Sequence, residues 1–254
     1  MSTFRNVLLA LFRPAKGVDG AAAALKWLWI PLALLLLGTV AVKTVVSTPM
    51  AIVASQELVE AQIAKQTASL PEADRKAAEE AAKGDAGGPE VDVSAGSAIV
   101  STSAMVFAVL GAILSIFYIA TFFFVAAKTW ANPVAYSTML SIATLSLVPH
   151  ALRNIVQTVY MSTTGVWVQH AGLGALVAPD SPLDPPGVLY AVLSQVDIAV
   201  FWGLAILFGA LLSQTVGIGR KRAVTGIVTF VAITGILQAV PTLVTGVFLG
   251  ATRG

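Results

Sequence analysis

Between Gly187 and Gly250 the chain holds two apolar runs separated by the turn Arg220-Lys221-Arg222. Each run is long enough to cross a bilayer's hydrocarbon core, which takes about 20 residues. Three adjacent cations cannot enter hydrocarbon, and cations this close to two spans mark the cytoplasmic side. A hairpin of this kind leaves little room for a soluble fold. The composition agrees, with 57% hydrophobic and 11% charged residues, where a soluble domain carries roughly 25% charged. The chain therefore reads as an integral, all-α, multi-pass membrane protein.

Five spans are expected, over 24–47, 98–127, 133–161, 187–216 and 223–250. The polar segments between them are a cytoplasmic amphipathic arm over 1–23, an extracytoplasmic helical hairpin over 48–97, a second extracytoplasmic loop over 162–186 and the basic turn over 217–222. The cations set the orientation: Arg13, Lys26, Lys128, Arg220, Lys221 and Arg222 all fall on one side, at headgroup level, when the N-terminus is inside and the C-terminus outside. The first apolar run exceeds the h-region of a signal peptide, about 7–15 residues, and no small-x-small site follows, so it reads as retained. Lys43, near its outer end, is expected to snorkel outward.

In the arm, Phe4, Leu8, Leu11 and Phe12 fall on one helical face, which suits a helix lying among headgroups until Pro14 ends it. The 48–97 segment carries nine of the thirteen acidic residues. Its apolar stripe Ile52, Val59, Ile63 and Leu70 has helical spacing and needs something to pack against, a partner surface being the sharper reading. A second helix is expected from Pro71 to Lys83. The aromatic cluster Phe117, Tyr118, Phe122, Phe123 and Phe124 reads as lipid-facing bulk and interfacial belt.

The third span is the polar one, with His150, Arg153, Asn154 and Gln157, and Pro149 should kink it. The fourth contains Gln195 and one carboxylate, Asp197. Counting inward at 1.5 Å per residue, Arg153 lies about 12 Å and Asp197 about 15 Å from the outer helix ends. An unpaired charge at that depth costs several kcal/mol, so the two should meet as an ion pair, with His150, Asn154, Gln157 and Gln195 completing its hydrogen bonds. Gly203, Gly209 and Ala210 let neighbours approach, which makes the fourth helix the central one. Function classes fall away as well. A net charge of +2 with scattered cations does not suit nucleic-acid binding. With no cysteine and two histidines, no metal or other cofactor is expected. No nucleophile–base motif stands in a plausible context, so no catalytic residue is assigned.

Asp197-(x)4-Trp202-Gly203-Leu204, with Phe201 before it and Gly209 after it, leads into Gly217-Ile218-Gly219-Arg220-Lys221-Arg222-Ala223. This pattern resembles the last helical hairpin of Yip1-domain membrane proteins. In bacterial members of that family a D-x-F/I-x-x-W opening, a small-residue helix and a Gly-Arg/Lys-Lys-Ala turn recur. The layout is similar too: a short cytoplasmic arm ending in Arg13-Pro14, then five spans. The resemblance implies a bacterial cytoplasmic membrane and a non-enzymatic role in organising membrane machinery. Eukaryotic relatives engage small GTPases and vesicle traffic. Bacterial relatives are read as accessory subunits, in some cases of ABC-type export systems. The implied partners are the lipid bilayer and a membrane-protein complex. The rival class is a small transporter or channel with a polar path through His150, Arg153, Gln157 and Asp197. Five spans without an internal repeat count against a lone carrier, which a homo-oligomer would restore.

Overall fold

The computed structural model describes the backbone of residues 2–68, 93–130, 132–168, 172–177, 188–193 and 196–251, and the side chains within these except 2–4, 55, 57–68, 93–99, 188, 191–192 and 238–251. Its helices are α1 (Ser2–Phe12), α2 (Pro14–Gly20), α3 (Leu25–Ala68), α4 (Val93–Thr129), α5 (Tyr136–Ser146), α6 (Val148–Thr164), α7 (Val188–Leu193), α8 (Ile198–Leu211) and α9 (Arg220–Ala251), with a 3-10 turn over Gly172–Val177. The described residues contain no strand.

Among the described residues, three stretches are long and apolar enough to cross a membrane: Leu25–Ala54, Val100–Thr129 and Tyr136–Thr164. They turn large apolar side chains outward, with Leu34 66% and Phe107 74% exposed. Water would not tolerate such faces on a monomer, whereas lipid is their natural solvent. α8 is apolar but spans only 14 residues.

α3 runs alongside α5 and α6 in the same direction. Near its start, the Ser141 hydroxyl of α5 donates to the Leu25 carbonyl and accepts the Trp29 N–H at 3.1 Å. Near its far end, Lys43 reaches Gln157 of α6. α4 returns beside them, and its Thr121 hydroxyl lies 3.0 Å from that of Tyr136 at the head of α5. α8 runs antiparallel to α5–α6, with Gly203 facing Ser146 and Asp197 facing Arg153. α9 is antiparallel to α4, as Gly226 lies against Trp130 and Thr234 against Tyr118. The alternation gathers Lys26, Lys128 and Arg220–Arg222, all exposed, at one end of the bundle.

Several expectations change. α3 does not stop at the predicted membrane edge near 47 but continues to Ala68 through Pro49. Proline costs a helix one hydrogen bond and a bend without having to end it. The predicted second helix from Pro71, and Leu70, lie outside the described residues. The third span is two helices rather than one kinked one. It breaks at Leu147 just before Pro149, so that Pro149 occupies the first turn of α6, where a missing N–H does no harm. The axis of the bundle is this span and not the fourth, for every residue from Thr138 to Ser146 is buried.

The aromatic cluster is largely a seam instead of a lipid-facing belt. Phe123 is 1% exposed, and Phe230 of α9 packs its ring 5.4 Å from those of Tyr118, Phe122 and Phe123. Phe117 does face outward. Such an all-apolar helix carries no one-dimensional sign of which side meets protein.

The arm is two helices docked on α8. Pro14 ends α1 as expected but also opens α2. Trp202 donates its indole N–H to the Leu11 carbonyl at 2.8 Å, and Pro14 packs on Gly209. Asp19 accepts both the N–H and the hydroxyl of Thr215 at 2.9 Å, together with the Gln214 N–H at 3.2 Å. Leu8 and Phe12 remain exposed, and Val18 is fully buried.

α8 comes closest to the axis at Gly203, where an added Cβ would sit 2.5 Å from the Ser146 carbonyl oxygen. That oxygen belongs to backbone at the α5–α6 break and cannot swing aside. Gly203→Ala should therefore lower the unfolding temperature in detergent, by the equivalent of about 1–3 kcal/mol of overpacking. Gly38→Ala, in α3 with nothing within 4 Å of its Cβ, should be neutral or slightly stabilising. Equal melting temperatures for the two variants would contradict this packing.

Candidate functional site

The two interrupted helices meet at one point. Asp197 is not inside a helix, as the apolar run suggested. It is the N-cap of α8, with extended backbone at φ −130° and ψ 144°. Aspartate suits this position because its carboxylate satisfies an N–H that the first turn leaves free. Here Oδ1 accepts the Ala199 N–H at 2.7 Å while Oδ2 accepts Arg153 Nη1 at 2.8 Å. The carboxylate is 7% and the guanidinium 26% exposed. One side chain thus holds the head of α8 and ties it to α6. Above it, the Leu173 N–H of the 3-10 turn donates to the Val196 carbonyl at 3.0 Å, so the loop after α6 folds back onto the break. α6 itself ends at Gly165, whose left-handed φ of 69° lets its N–H return to the Met161 carbonyl.

The other predicted site residues divide around this pair. Asn154, next to Arg153 in the chain, is buried. Gln157 does not hydrogen-bond the pair but accepts from Lys43 Nζ at 2.6 Å. His150 lies next to the α5–α6 break, near Gly203. Among the described residues its Nδ1 and Arg153 Nε, both buried, have no hydrogen-bond partner. Gln195 lies outside the described residues. Of the predicted partner stripe, Ile52 is half-buried on α3, and the side chains of Val59 and Ile63 are not described.

Lys43 is the residue the sequence reading dismissed. It points inward to α6 rather than snorkelling out. With Val40 and Thr44 of α3, Ala112 of α4, and His150 and Arg153 of α6, it lines a cavity of about 340 Å³. Three basic side chains therefore border one open groove between α3, α4 and α6, with the Asp197 carboxylate bound to Arg153. Among the described residues no cluster of His, Asp and Glu could hold a metal ion.

No family model, curated protein or solved structure matches this chain. What the site can do is therefore argued from its geometry. A carboxylate that both caps a helix and binds a guanidinium is a structural clasp, and a cavity with basic side chains lies beside it.

Removing one partner of a mostly buried pair leaves the other charge uncompensated, a loss of about 3 kcal/mol or more. Asp197→Asn keeps a good N-cap and loses only the charge, whereas Asp197→Ala loses both. Asp197→Asn and Arg153→Gln should each lower the melting temperature, and the double variant should lose clearly less than the sum. Asp197→Ala should be worse than Asp197→Asn. Strictly additive losses in a thermal-unfolding cycle would remove the clasp from the account.

Proposed function

We propose that the chain is a five-span protein of a bacterial cytoplasmic membrane, with its N-terminus inside and its C-terminus outside. In this reading it is a non-enzymatic accessory that binds and organises a membrane partner complex. The observation that carries the proposal is the length of α3. It continues from Ala54, the end of its membrane-compatible stretch, to Ala68, an extension of roughly 21 Å at 1.5 Å per residue. α4 likewise begins at Val93, before its apolar stretch opens at Val100. Two helices reaching past the same end of a bundle make a handle for another protein, and Ile52 begins the apolar stripe along it. The resemblance to Yip1-domain proteins supports the same role, with an ABC-type export system as the partner class. The 32-residue length of α9 supports a fifth span there, and the basic turn before it supports the orientation.

A second reading, a small transporter or channel, is favoured by one observation. Two helices are broken where they touch, with charged side chains at the contact. Interrupted helices mark the substrate sites of many carriers. Its path would run past Lys43, His150, Arg153, Gln157 and Asp197.

Isolation of the native complex in mild detergent separates the two readings. A stoichiometric membrane partner that is lost on Ile52→Glu supports the accessory role. A lone oligomer that carries protons across proteoliposomes when substrate is added selects the second reading. The absence of cysteine makes the orientation easy to test by labelling. Thr252→Cys should react with a membrane-impermeant maleimide in cells whose outer barrier is opened, and Gly219→Cys only after lysis. The reverse pattern would overturn the five-span layout.

A further inference from the structure

We infer that the cavity between α3, α4 and α6 is a binding site for an anionic amphiphile, a single phosphate or carboxylate head carrying an apolar tail. Its lining combines apolar and basic side chains, with Leu36, Val40 and Leu147 beside Lys43, His150 and Arg153. Such a lining suits a molecule that carries both a charged head and an apolar chain. Its volume of about 340 Å³ falls at the small end of ligand pockets, which run from about 300 to 1,000 Å³. It would take a headgroup and the first part of a chain.

The charge balance points to an anion. Arg153 is matched by Asp197. The hydrogen bond found for Lys43 among the described residues is to the neutral amide of Gln157. A bare ammonium inside hydrocarbon is costly, and its usual remedies are snorkelling or pairing. Lys43 points inward, which leaves pairing. The head could come from a bilayer phospholipid or from a free anion entering the cavity, and the two sources are separable by experiment. The site is independent of the partner-binding reading, because partner capture is read on the α3–α4 extension and occupancy is read on lipid.

Full-length protein stripped of lipid in detergent would be titrated with phosphatidylglycerol, with phosphatidylcholine of the same chains, and with inorganic phosphate. Thermal unfolding and native mass spectrometry provide the readouts. Phosphatidylglycerol should raise the unfolding temperature by several degrees more than phosphatidylcholine and remain bound. Lys43→Gln should weaken that binding roughly tenfold, the effect of removing one charge-assisted contact, while Lys43→Arg retains most of it. Should Lys43→Gln fail to fold, His150→Gln should reduce the preference in its place. Inorganic phosphate matching the lipid's shift would assign the head site to a free anion. Equal shifts for the two lipids with no response to phosphate would overturn the inference, as would a preference for phosphatidylglycerol that survives both variants.

Discussion

Hydrocarbon offers no hydrogen bonds, so a helix broken inside a bundle must find partners for its freed backbone groups within the protein. This chain has two such breaks on adjacent elements, at Leu147 and ahead of Ile198. Asp197 answers the second with one oxygen and reaches across to α6 with the other. Gly203 lets α8 lie directly on the carbonyl of Ser146 at the first. The two breaks are thus held together by a charge pair and by a missing side chain. The buried α5 follows from this arrangement, since α8 reaches the axis only by passing it.

Part of this is legible in the sequence. Apolar length locates two of the membrane-length stretches, Val100–Thr129 and Tyr136–Thr164, to within three residues at each end, and inward counting pairs Arg153 with Asp197, which the structure brings together. The breaks were harder to see for a physical reason. Where a run is apolar all round, it has no periodic face, and nothing in hydropathy marks where the backbone leaves the helix. The overlooked sign was Asp197 itself, since aspartate is a poor interior residue and a strong N-cap. Lys43 was misread because snorkelling and inward pairing look alike in one dimension. Its partner Gln157 lies 114 residues away in sequence, beyond the reach of any local pattern.

The arm taught a related lesson. Its apolar positions suggest a lipid-facing helix, and Leu8 and Phe12 do stay exposed, but Ala10 and Val18 join the core and two polar ties fix its course: the Trp202 indole N–H to the Leu11 carbonyl and the Asp19 carboxylate on the turn after α8. The first bond ties the arm to the head of α8, near the Asp197 link to α6, and the second ties it to the turn beyond the far end. A helix of 14 residues is short for a membrane element, and clamping both ends compensates for the packing that its length cannot supply.

Arg153 is the point where clasp and cavity become one problem. Nη1 is committed to Asp197, while the rest of the guanidinium borders the space shared with Lys43 and His150. In a medium of low dielectric, the field of one charge is felt strongly by the next. The attraction that holds α8 to α6 and the positive potential of the cavity therefore cannot be set separately. Strengthening the bond to Asp197 quietens the cavity, and a second cation at Lys43 restores its sign. Lys43, turned inward on α3 to Gln157, is the second basic side chain that shares this space.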